Sequence, residues 1–429
     1  MNEFKSHLKK YLNDKEIEQL IDSFSLPSTH ALLLNTEKLS DEELLNIYPN
    51  LKKHPIVPHA YIYNKNEYDL GKSIYHELGA FYIQEPSAML VSYFLDAQED
   101  DYILDLCAAP GGKTIGTALS MHQKGIIIAN DISKDRAKVL MDNVSRLGIK
   151  NVIVTNNDFA SIYQHYRSTF DKIIIDAPCS GSGMFRKEDK MKDDWSYNKV
   201  FKNALIQYQL IDIAYEMLKP GGDMVYSTCS YSYEEDEEVI KHLLDNSDAE
   251  LIDINNSKDF YVSKDNIGIH LFPYLFNGEG HYICKIHKPG NIKKTSYHTK
   301  QVLKNLLPDE IQNFSSYKFG DYLHALPYDI SYKGINIINY GIKVGEIIRN
   351  ECLYSYQLSH ALTNYKQIIE LNFDEVYKYI LGEQLNKNNT YKGQVLLTYQ
   401  GIPVDFSKTD GRVLKNHYPK YLRKKISKN

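Results

Sequence analysis

Two cysteines stand where they could carry out nucleophilic chemistry. Cys179 lies in the stretch DAPCSGSGMFRK, directly after an apolar run, and Cys229 lies in YSTCSYS, after a second apolar run. A thiolate is a strong nucleophile when its surroundings lower the pKa of the thiol. A free cysteine is more often a small buried hydrophobic residue, so two interpretations are open for this pair. We expect the structural role for the other three, Cys107, Cys284 and Cys352.

The surrounding pattern predicts the elements that would position these thiols. From about residue 100 to residue 288, short apolar runs alternate with stretches of helical spacing. Strands are predicted at 101–107, 126–131, 151–158, 170–178, 223–231 and 280–286, and helices at 114–125, 134–148 and 203–222. This alternation is typical of a doubly wound α/β fold, with a mainly parallel sheet and helices on both faces. Both thiols would then lie at one rim of the sheet.

Three aspartates end predicted strands of the same sheet, namely Asp131, Asp158 and Asp176. In a parallel sheet the ligand crevice lies outside the carboxyl ends of the strands, so the three carboxylates are expected to converge there. Aspartate is also a common cap of the helix that follows a strand. Capping alone suits one of the three, whereas a shared binding site accounts for all of them.

The turn after the first of these strands reads AAPGGKT and consists of Ala108, Ala109, Pro110, Gly111, Gly112, Lys113 and Thr114. Its end looks like a phosphate-binding P-loop, but that motif needs a glycine where Cys107 stands. A turn of small residues also opens a Rossmann-type nucleoside pocket, in which an acidic residue about 20 positions further on binds the ribose. Asp131 has this spacing. We therefore interpret the turn as a nucleoside-binding loop.

Composition and charge exclude several classes of protein. The chain has 429 residues, a formal net charge of −5, 43% hydrophobic residues and 24% charged residues, which is typical of a globular protein. No apolar run reaches the ~20 residues of a membrane helix, and the polar start predicts no signal peptide. The five cysteines form no C-x-x-C pair, so neither a zinc finger nor a disulfide framework is expected. Free thiols suit the cytoplasm.

The length predicts several domains. We place an N-terminal extension at 1–95, a Rossmann-like core at 96–289, a linking α+β subdomain at 290–360 and a C-terminal domain at 361–429. The tail from Lys408 to Asn429 holds eight Lys or Arg residues and one Asp, which gives a side-chain charge of +7. Such a tail is expected to contact RNA phosphates. A solvated, frayed terminus is the alternative.

The motifs together resemble one family. LDLCAAPGGKT, DAPCSGSGMFRK and YSTCSYSYEEDEE are similar to three signatures of the RNA cytosine-5 methyltransferases of the Nol1/Nop2/Sun group. GAFYIQEPSAML, NGEGHYICKI and GRVLKNHYPKYLRKK resemble segments of its bacterial, RsmF-like ribosomal RNA branch, the last of them in a PUA-like α+β domain. The chain departs from the family pattern at Leu33, Tyr274, Asp236 and Tyr421, where arginine, histidine, asparagine and glycine are usual.

This resemblance implies a fold, a cofactor, and RNA binding by the N-terminal extension at 1–95 and by the PUA-like domain at 361–429. The core would be the Rossmann-like domain of a methyltransferase that uses S-adenosylmethionine. The turn from Ala108 to Thr114 would line the methionine end of that cofactor, with Asp131 on its ribose and Asp158 near its adenine. Asp176 would lie between the cofactor and the target base.

The resemblance also implies roles for the two thiols. Cys229 would add to carbon 6 of cytosine, which makes carbon 5 nucleophilic, and Cys179 would assist the release of the methylated base. Asp176 would hydrogen-bond the base and stabilise the adduct. In DNA cytosine-5 methyltransferases the thiol of the Pro-Cys motif attacks, which would be Cys179 here. The presence of both cysteines favours attack by Cys229.

The expected function is methylation of carbon 5 of cytidine in 16S ribosomal RNA. The expected partner is that RNA or the small ribosomal subunit, with no membrane and no metal, and the protein is expected to be monomeric. A transfer-RNA cytosine-5 methyltransferase and a non-catalytic RNA-binding assembly factor are the alternatives. Resemblance over nearly the whole chain disfavours the first, and the intact Cys179, Cys229 and Asp176 disfavour the second.

Overall fold

A computed structural model describes residues 1–188, 190–331 and 334–428 of the chain. The N-terminal region is a small sheet flanked by helices. Its strands pair antiparallel in the order β2-β3-β1-β4. The elements are α1 (Asn2–Leu8), α2 (Asp14–Ser23), β1 (His30–Leu34), α3 (Asp41–Ile47), β2 (Lys52–Lys53), β3 (Ala60–Tyr63), α4 (Ile74–Glu77), β4 (Phe81–Gln84) and α5 (Pro86–Leu95).

The central region alternates strands and helices, as its sequence predicts. The first elements are β5 (Tyr102–Asp105), α6 (Gly112–Ser120), β6 (Ile126–Asn130), α7 (Lys134–Leu147), β7 (Val152–Thr155), α8 (Phe159–His165) and β8 (Phe170–Asp176). They are followed by α9 (Lys190–Asp194), α10 (Tyr197–Met217), β9 (Leu218–Thr228), α11 (Glu237–Asn246), β10 (Glu250–Ile252), β11 (Ile269–His270) and β12 (Tyr282–His287).

Five strands of the central sheet are parallel, in the order β9-β8-β5-β6-β7. β12 adds antiparallel to β9, and β10 and β11 add antiparallel to β12. Successive residues of β6 point to opposite faces, with Ile127 in the core formed with α5, α6 and α7 and Ile128 in the core formed with α8, α10 and α11. Burial of both faces explains why these strands read as continuous apolar runs. The predicted doubly wound fold is confirmed.

The remaining elements form two smaller sheets. They are β13 (Ser315–Phe319), β14 (Tyr322–Leu326), β15 (Ile337–Tyr340), β16 (Ile342–Ile348), β17 (Glu351–Tyr354), α12 (Tyr356–Ala361), β18 (Ile368–Glu370), α13 (Phe373–Ile380), β19 (Leu385–Asn386), β20 (Gly393–Tyr399), β21 (Ile402–Thr409) and β22 (Val413–Leu414). Strands β13-β14-β16-β17 form one sheet and β18-β20-β21-β22-β19 the other. β15 instead extends the central sheet beside β7. The predicted boundaries at residues 95, 289 and 360 stay predictions.

The N-terminal sheet and the C-terminal sheet share one apolar core. Leu32 of β1 and Leu397 of β20 belong to it, as do Tyr418 and Ile426 from the basic tail. The backbone of Ser427 also pairs with that of Ser73. Because the tail is folded against the N-terminal sheet, the frayed-terminus alternative is wrong, and its lysines are carried by an ordered segment.

Three expectations about local structure need correction. The helix predicted to reach residue 222 ends at Met217, and β9 begins at Leu218, so the Pro-Gly-Gly bend lies inside the strand. The alternating segment PIVPHAYIY (residues 55–63) predicts a strand, but only Ala60–Tyr63 forms one. The acidic run from Glu234 to Glu238 predicts the start of a helix, since carboxylates suit a helix N-terminus; only Glu237 and Glu238 belong to α11, and Glu235 is fully buried in the turn before it. No described helix is long and apolar enough to cross a membrane.

Candidate active site

The turn from Ala108 to Thr114 connects β5 to α6 at the carboxyl edge of the sheet. Gly111 has a φ of +117°, a conformation that glycine adopts without a steric cost. Thr114 donates a hydrogen bond of 2.6 Å from Oγ1 to Oδ2 of Asp105, the last residue of β5. Burial raises the pKa of Asp105 to about 7. Asp105 Oδ1 is buried and has no hydrogen-bond partner in the described part of the chain, so it is available to a ligand.

Asp131 follows β6 directly and is buried. Its Oδ1 accepts a hydrogen bond from the Ser133 amide at 2.9 Å, and its Oδ2 lies 3.5 Å from Nη2 of Arg136. The same Arg136 nitrogen donates to the carbonyl oxygen of Ala109 at 2.6 Å. Arg136 therefore connects the strand-end carboxylate to the turn that was predicted to bind the same ligand.

Asp158 has a different environment from the other two strand-end aspartates. It is exposed and caps α8, because it accepts hydrogen bonds from the amide of Ser161 at 2.8 Å and from the Ser161 hydroxyl at 2.9 Å. These bonds to Ser161 lower the pKa of Asp158. The capping alternative thus describes the observed contacts of Asp158, and its place near adenine stays a prediction.

Asp176, at the end of β8, is the centre of a buried charged cluster. Lys113 Nζ donates to Oδ2 of Asp176 at 2.6 Å, and Ser227 Oγ donates to Oδ1 at 2.9 Å. His281 Nε2 lies 3.6 Å from the same Oδ1. Burial alone would raise the pKa of Asp176, but the Lys113 ammonium and His281 outweigh it and hold that pKa well below its usual range. Asp176 is therefore an ionised hydrogen-bond acceptor at the rim.

The two candidate thiols meet at this rim. Cys179 Sγ and Cys229 Sγ are 3.1 Å apart, and both residues are half-buried. The backbones of their loops also touch, because the Gly183 amide donates to the Cys229 carbonyl at 2.7 Å. A Cβ at position 183 would come within 2.9 Å of that carbonyl oxygen and within 2.6 Å of the Gly280 oxygen. Glycine therefore permits the close approach that brings the thiols together.

The surroundings shift the pKa values of the two thiols in opposite directions. The hydrogen bond with Cys229, together with burial and the negative charges of Cys229 and Glu235, raises the pKa of Cys179 well above its usual value. The same hydrogen bond lowers the pKa of Cys229, and electrostatic interactions with His281 and Lys113 lower it further, against burial and the charge of Asp176, which raise it. The pair therefore favours a Cys229 thiolate that accepts a hydrogen bond from the Cys179 thiol.

The other three cysteines have environments that suit structural roles. Cys284 and Cys352 are buried, and burial raises the pKa of each to about 12. Cys107 is half-buried beneath the turn, and desolvation raises its pKa well above the usual value.

Several residues of the site were not predicted from the sequence. His281 precedes β12, and its Nδ1 lies 3.0 Å from the Gly280 carbonyl oxygen. Arg186, from the Cys179 loop, forms a buried ion pair of 2.9 Å with Glu279. Glu235 binds the loops of both cysteines. All three lie inside the motifs that resemble the family, and this is the signal by which they could have been found. Their contacts could not be predicted, because they join segments that are far apart in the chain.

One further group of residues has spacing that could hold a metal ion. Within the described ranges, single ligand atoms of Asp236, Glu237 and His270 lie within 4.8 Å of one another, and all three residues are buried. In the structure each has a protein partner, since Glu237 pairs with His270 at 2.9 Å and Thr228 donates to Asp236. The prediction that the protein uses no metal stays untested.

Comparison with known proteins covers most of the chain. The family model described as 16S rRNA methyltransferase RsmB/F matches residues 92–287. The models for the N-terminal domain of 16S rRNA methyltransferase RsmF and for the methyltransferase RsmF PUA domain match residues 1–86 and 366–424. Ribosomal RNA small subunit methyltransferase F of Aliivibrio fischeri (strain ATCC 700601 / ES114) is 30% identical over 388 residues, 82% of this chain and 81% of that protein. The protein of the same name from Shewanella piezotolerans is 29% identical and aligns with 99% of this chain and 96% of its own.

Solved structures show the same core. A methyltransferase homolog protein from Pyrococcus horikoshii is 29% identical with a TM-score of 0.58, over 66% of this chain and 93% of that one. NSun6 from Pyrococcus horikoshii, solved with SFG, has a TM-score of 0.60 at 23% identity, over 68% of this chain and 99% of that one; it supports the fold alone. The fold is therefore that of a Rossmann-like methyltransferase. Within this class, the chain belongs to the RsmF family of 16S ribosomal RNA methyltransferases, which confirms the predicted resemblance and fold class.

Proposed function

We propose that this protein methylates carbon 5 of a cytidine in small-subunit ribosomal RNA through a covalent adduct with Cys229. The observation that carries the proposal is the pair of thiols 3.1 Å apart, with a lowered pKa at Cys229 and a raised pKa at Cys179. A pair of this kind supplies one nucleophile and one proton-handling group at the same place. The family membership supplies the substrate class.

The residues around the turn fit S-adenosylmethionine. Asp131 would hold the ribose, the turn from Ala108 to Thr114 would contact the methionine end, and the partnerless Asp105 Oδ1 would accept a hydrogen bond from its amino group. When bound, this cofactor supplies an electrophilic methyl group. The exposed Asp158 would border the adenine end.

Asp176 would bind the target base. As an ionised carboxylate it only accepts hydrogen bonds, which suits the exocyclic amino group of cytosine and, once water has protonated it in the adduct, ring nitrogen 3. Lys113 and Ser227 fix the orientation of this carboxylate. A base in a helix cannot reach such a pocket, so the cytidine must be unpaired or flipped out, which costs a few kcal/mol.

Cys229 and Cys179 would act in sequence. The Cys229 thiolate forms a bond from Sγ to carbon 6, and the electron pair of the ring double bond becomes available at carbon 5. After methylation, the proton on carbon 5 must leave so that the double bond re-forms and the bond between Sγ and carbon 6 breaks. The charge of Cys229 is among the causes that raise the pKa of Cys179. Because the adduct removes that charge, the pKa of Cys179 falls, so its thiol can lose its proton to water and the resulting thiolate can take the proton from carbon 5.

The test is the modification itself. Bisulfite mapping of 16S ribosomal RNA from a strain that lacks the gene should show the loss of at least one 5-methylcytidine. Wild-type protein should restore the mark, and Cys229→Ala should not. A deletion strain with an unchanged cytidine map would contradict the proposed function.

A further inference from the structure

Glu235 lies at the point where the two cysteine loops meet. Its side chain is fully buried, as are those of Ser180 and Ser230, the residues that follow Cys179 and Cys229. The Ser180 amide donates to Oε1 of Glu235 at 2.7 Å, and the Ser180 hydroxyl donates to Oε2 at 2.5 Å. The Ser230 hydroxyl donates to the same Oε2 at 2.6 Å. One carboxylate therefore binds the residue next to each thiol.

The backbone of Glu235 is also hydrogen-bonded, and a glutamine of α10 links its carboxylate to the Cys179 loop. Tyr226, in β9, donates from its hydroxyl to the Glu235 carbonyl at 2.6 Å. Gln207 of α10 donates to the Pro178 carbonyl at 2.8 Å and lies 3.4 Å from Glu235 Oε1. Glu235 is thus bonded to β9 through its backbone and to α10 and both loops through its carboxylate, which leaves it little freedom to move.

The charge of Glu235 is among the causes that raise the pKa of Cys179. His281 and Lys113 lower the pKa of Cys229, and the Asp176 carboxylate raises the pKa of both thiols. Burial raises the pKa of Glu235 itself, and its hydrogen bonds from Ser180 and Ser230 oppose that effect. The Glu235 carboxylate beside Cys179 and the Lys113 ammonium near Cys229 both favour the proton on Cys179.

We propose that Glu235 is the positioning residue that holds the two thiols at their reacting separation. The proposal rests on the proposed function, because it concerns the thiols that would attack and release the base. Glu235 is fully buried and would act on the thiols through its hydrogen bonds with Ser180 and Ser230. A misplacement of a reacting group by about 1 Å costs on the order of 100-fold in rate.

The loops have other connections, so a variant at this position should still fold. Gly183 bonds the Cys229 carbonyl, and the Tyr231 amide donates to Ser182 Oγ at 2.8 Å. Glu235→Ala removes the three-fold acceptor. Glu235→Gln has the same shape, and its amide group can donate to the serine hydroxyls that donate to the carboxylate in the wild type. Glu238→Ala is the matched control, because Glu238 is exposed on the first turn of α11.

The positioning of the two thiols can be tested without RNA or methyl donor, through the rate at which they capture a reagent that needs both. Phenylarsine oxide bonds its arsenic to two neighbouring thiols and releases water, and a Cys179→Ala variant gives the background from the remaining cysteines. We expect Glu235→Ala to capture the arsenical at least about 10-fold more slowly than wild type and to lose about 100-fold in methyl transfer. Glu235→Gln should recover most of both rates, and Glu238→Ala should match wild type in both.

Equal capture rates for wild type and Glu235→Ala would overturn the proposal. If circular dichroism shows that Glu235→Ala does not fold, the double variant Ser180→Ala/Ser230→Ala decides, since it removes the hydroxyl donors and keeps the carboxylate. Slower capture by that variant supports the proposal, and capture at the wild-type rate contradicts it. Failure of the cytosine chemistry would leave the capture result standing, so the two proposals can fail separately.

Discussion

Replacing Lys113 by methionine tests the electrostatics of the site. The substitution keeps much of the side-chain volume and removes the ammonium group that lies 2.6 Å from Asp176, in a pair whose side chains are 14% and 27% exposed. Removing one partner of a buried pair costs about 3–5 kcal/mol. Because part of Asp176 is exposed and Ser227 still donates to it, we expect a loss of about 2–3 kcal/mol in the free energy of unfolding.

The matched control is Lys138→Met. Lys138 forms an ion pair of 3.0 Å with Asp135, but the two side chains are 53% and 91% exposed, so solvent screens the pair and its loss should cost much less than the loss of Lys113. The assay is hydrogen exchange of the central-sheet amides as urea is raised. Since the pKa of Asp176 is lowered in the folded state, the pair stabilises above the ordinary value of 3.8 and loses its effect as the pH falls below it.

The difference between wild type and Lys113→Met should therefore be constant from about pH 6 to about pH 8 and should narrow in acid. Adding Asp176→Asn to Lys113→Met should recover part of the loss, because no unpaired charge is left in the site. Equal costs for the Lys113 and Lys138 variants, or a difference that grows as the pH falls, would refute the view that the Lys113 charge holds Asp176 ionised.

Three further predictions concern the cofactor, the fold and the RNA. Asp131→Ala should bind S-adenosylhomocysteine at least about 10-fold more weakly in calorimetry, since a hydrogen bond to a charged group contributes about 1.5–3 kcal/mol; equal affinity would remove Asp131 from the site. Burial and Glu237 raise the pKa of Asp236, so the folded state keeps a proton that the unfolded state loses, and stability falls as the pH rises. Asp236→Asn should weaken this pH dependence by up to about 1.4 kcal/mol in the free energy of unfolding per pH unit. Urea unfolding of both proteins at low and high pH measures it, and the same pH dependence in wild type and variant would contradict the prediction. Replacing the exposed Lys420, Lys425 and Lys428 by glutamine should lower the logarithmic salt slope of RNA binding by about 0.7–0.9 for each phosphate that is no longer neutralised, and an unchanged slope would show that these lysines bind no phosphate.

The strands and strand-end residues were predictable because their signal is local. Burial on both faces makes residues 126–129 continuously apolar, and Asp131, which follows β6 directly, then falls at the carboxyl edge. Asp176 was predictable for the same reason. The sequence left open whether each aspartate binds a ligand or caps a helix, because both roles place the residue at the same position. The contact of Asp158 with Ser161 became visible only in three dimensions.

The contacts that tune the thiols could not be predicted from one sequence. His281 lies far along the chain from Cys229, and it reaches the site because β12 pairs antiparallel with β9, with Tyr282 opposite Thr228. Glu235 belongs to an acidic run, which usually indicates a solvated surface. Its side chain instead turns inward and accepts a hydrogen bond from Ser180, which lies on another loop. β15 was also hidden, because pairing at a sheet edge uses backbone groups that any sequence offers.

The covalent roles of the two thiols are tested most directly by denaturing electrophoresis of Cys179→Ala and Cys229→Ala with target RNA and S-adenosylmethionine. If Cys229 attacks and Cys179 serves release, a slow-migrating, protease-sensitive complex should accumulate with Cys179→Ala and be absent with Cys229→Ala. The reverse pattern would assign the attack to Cys179 and contradict the lowered pKa of Cys229 as its functional basis. Intact methylation by Cys229→Ala, with no adduct in either variant, would contradict covalent catalysis itself.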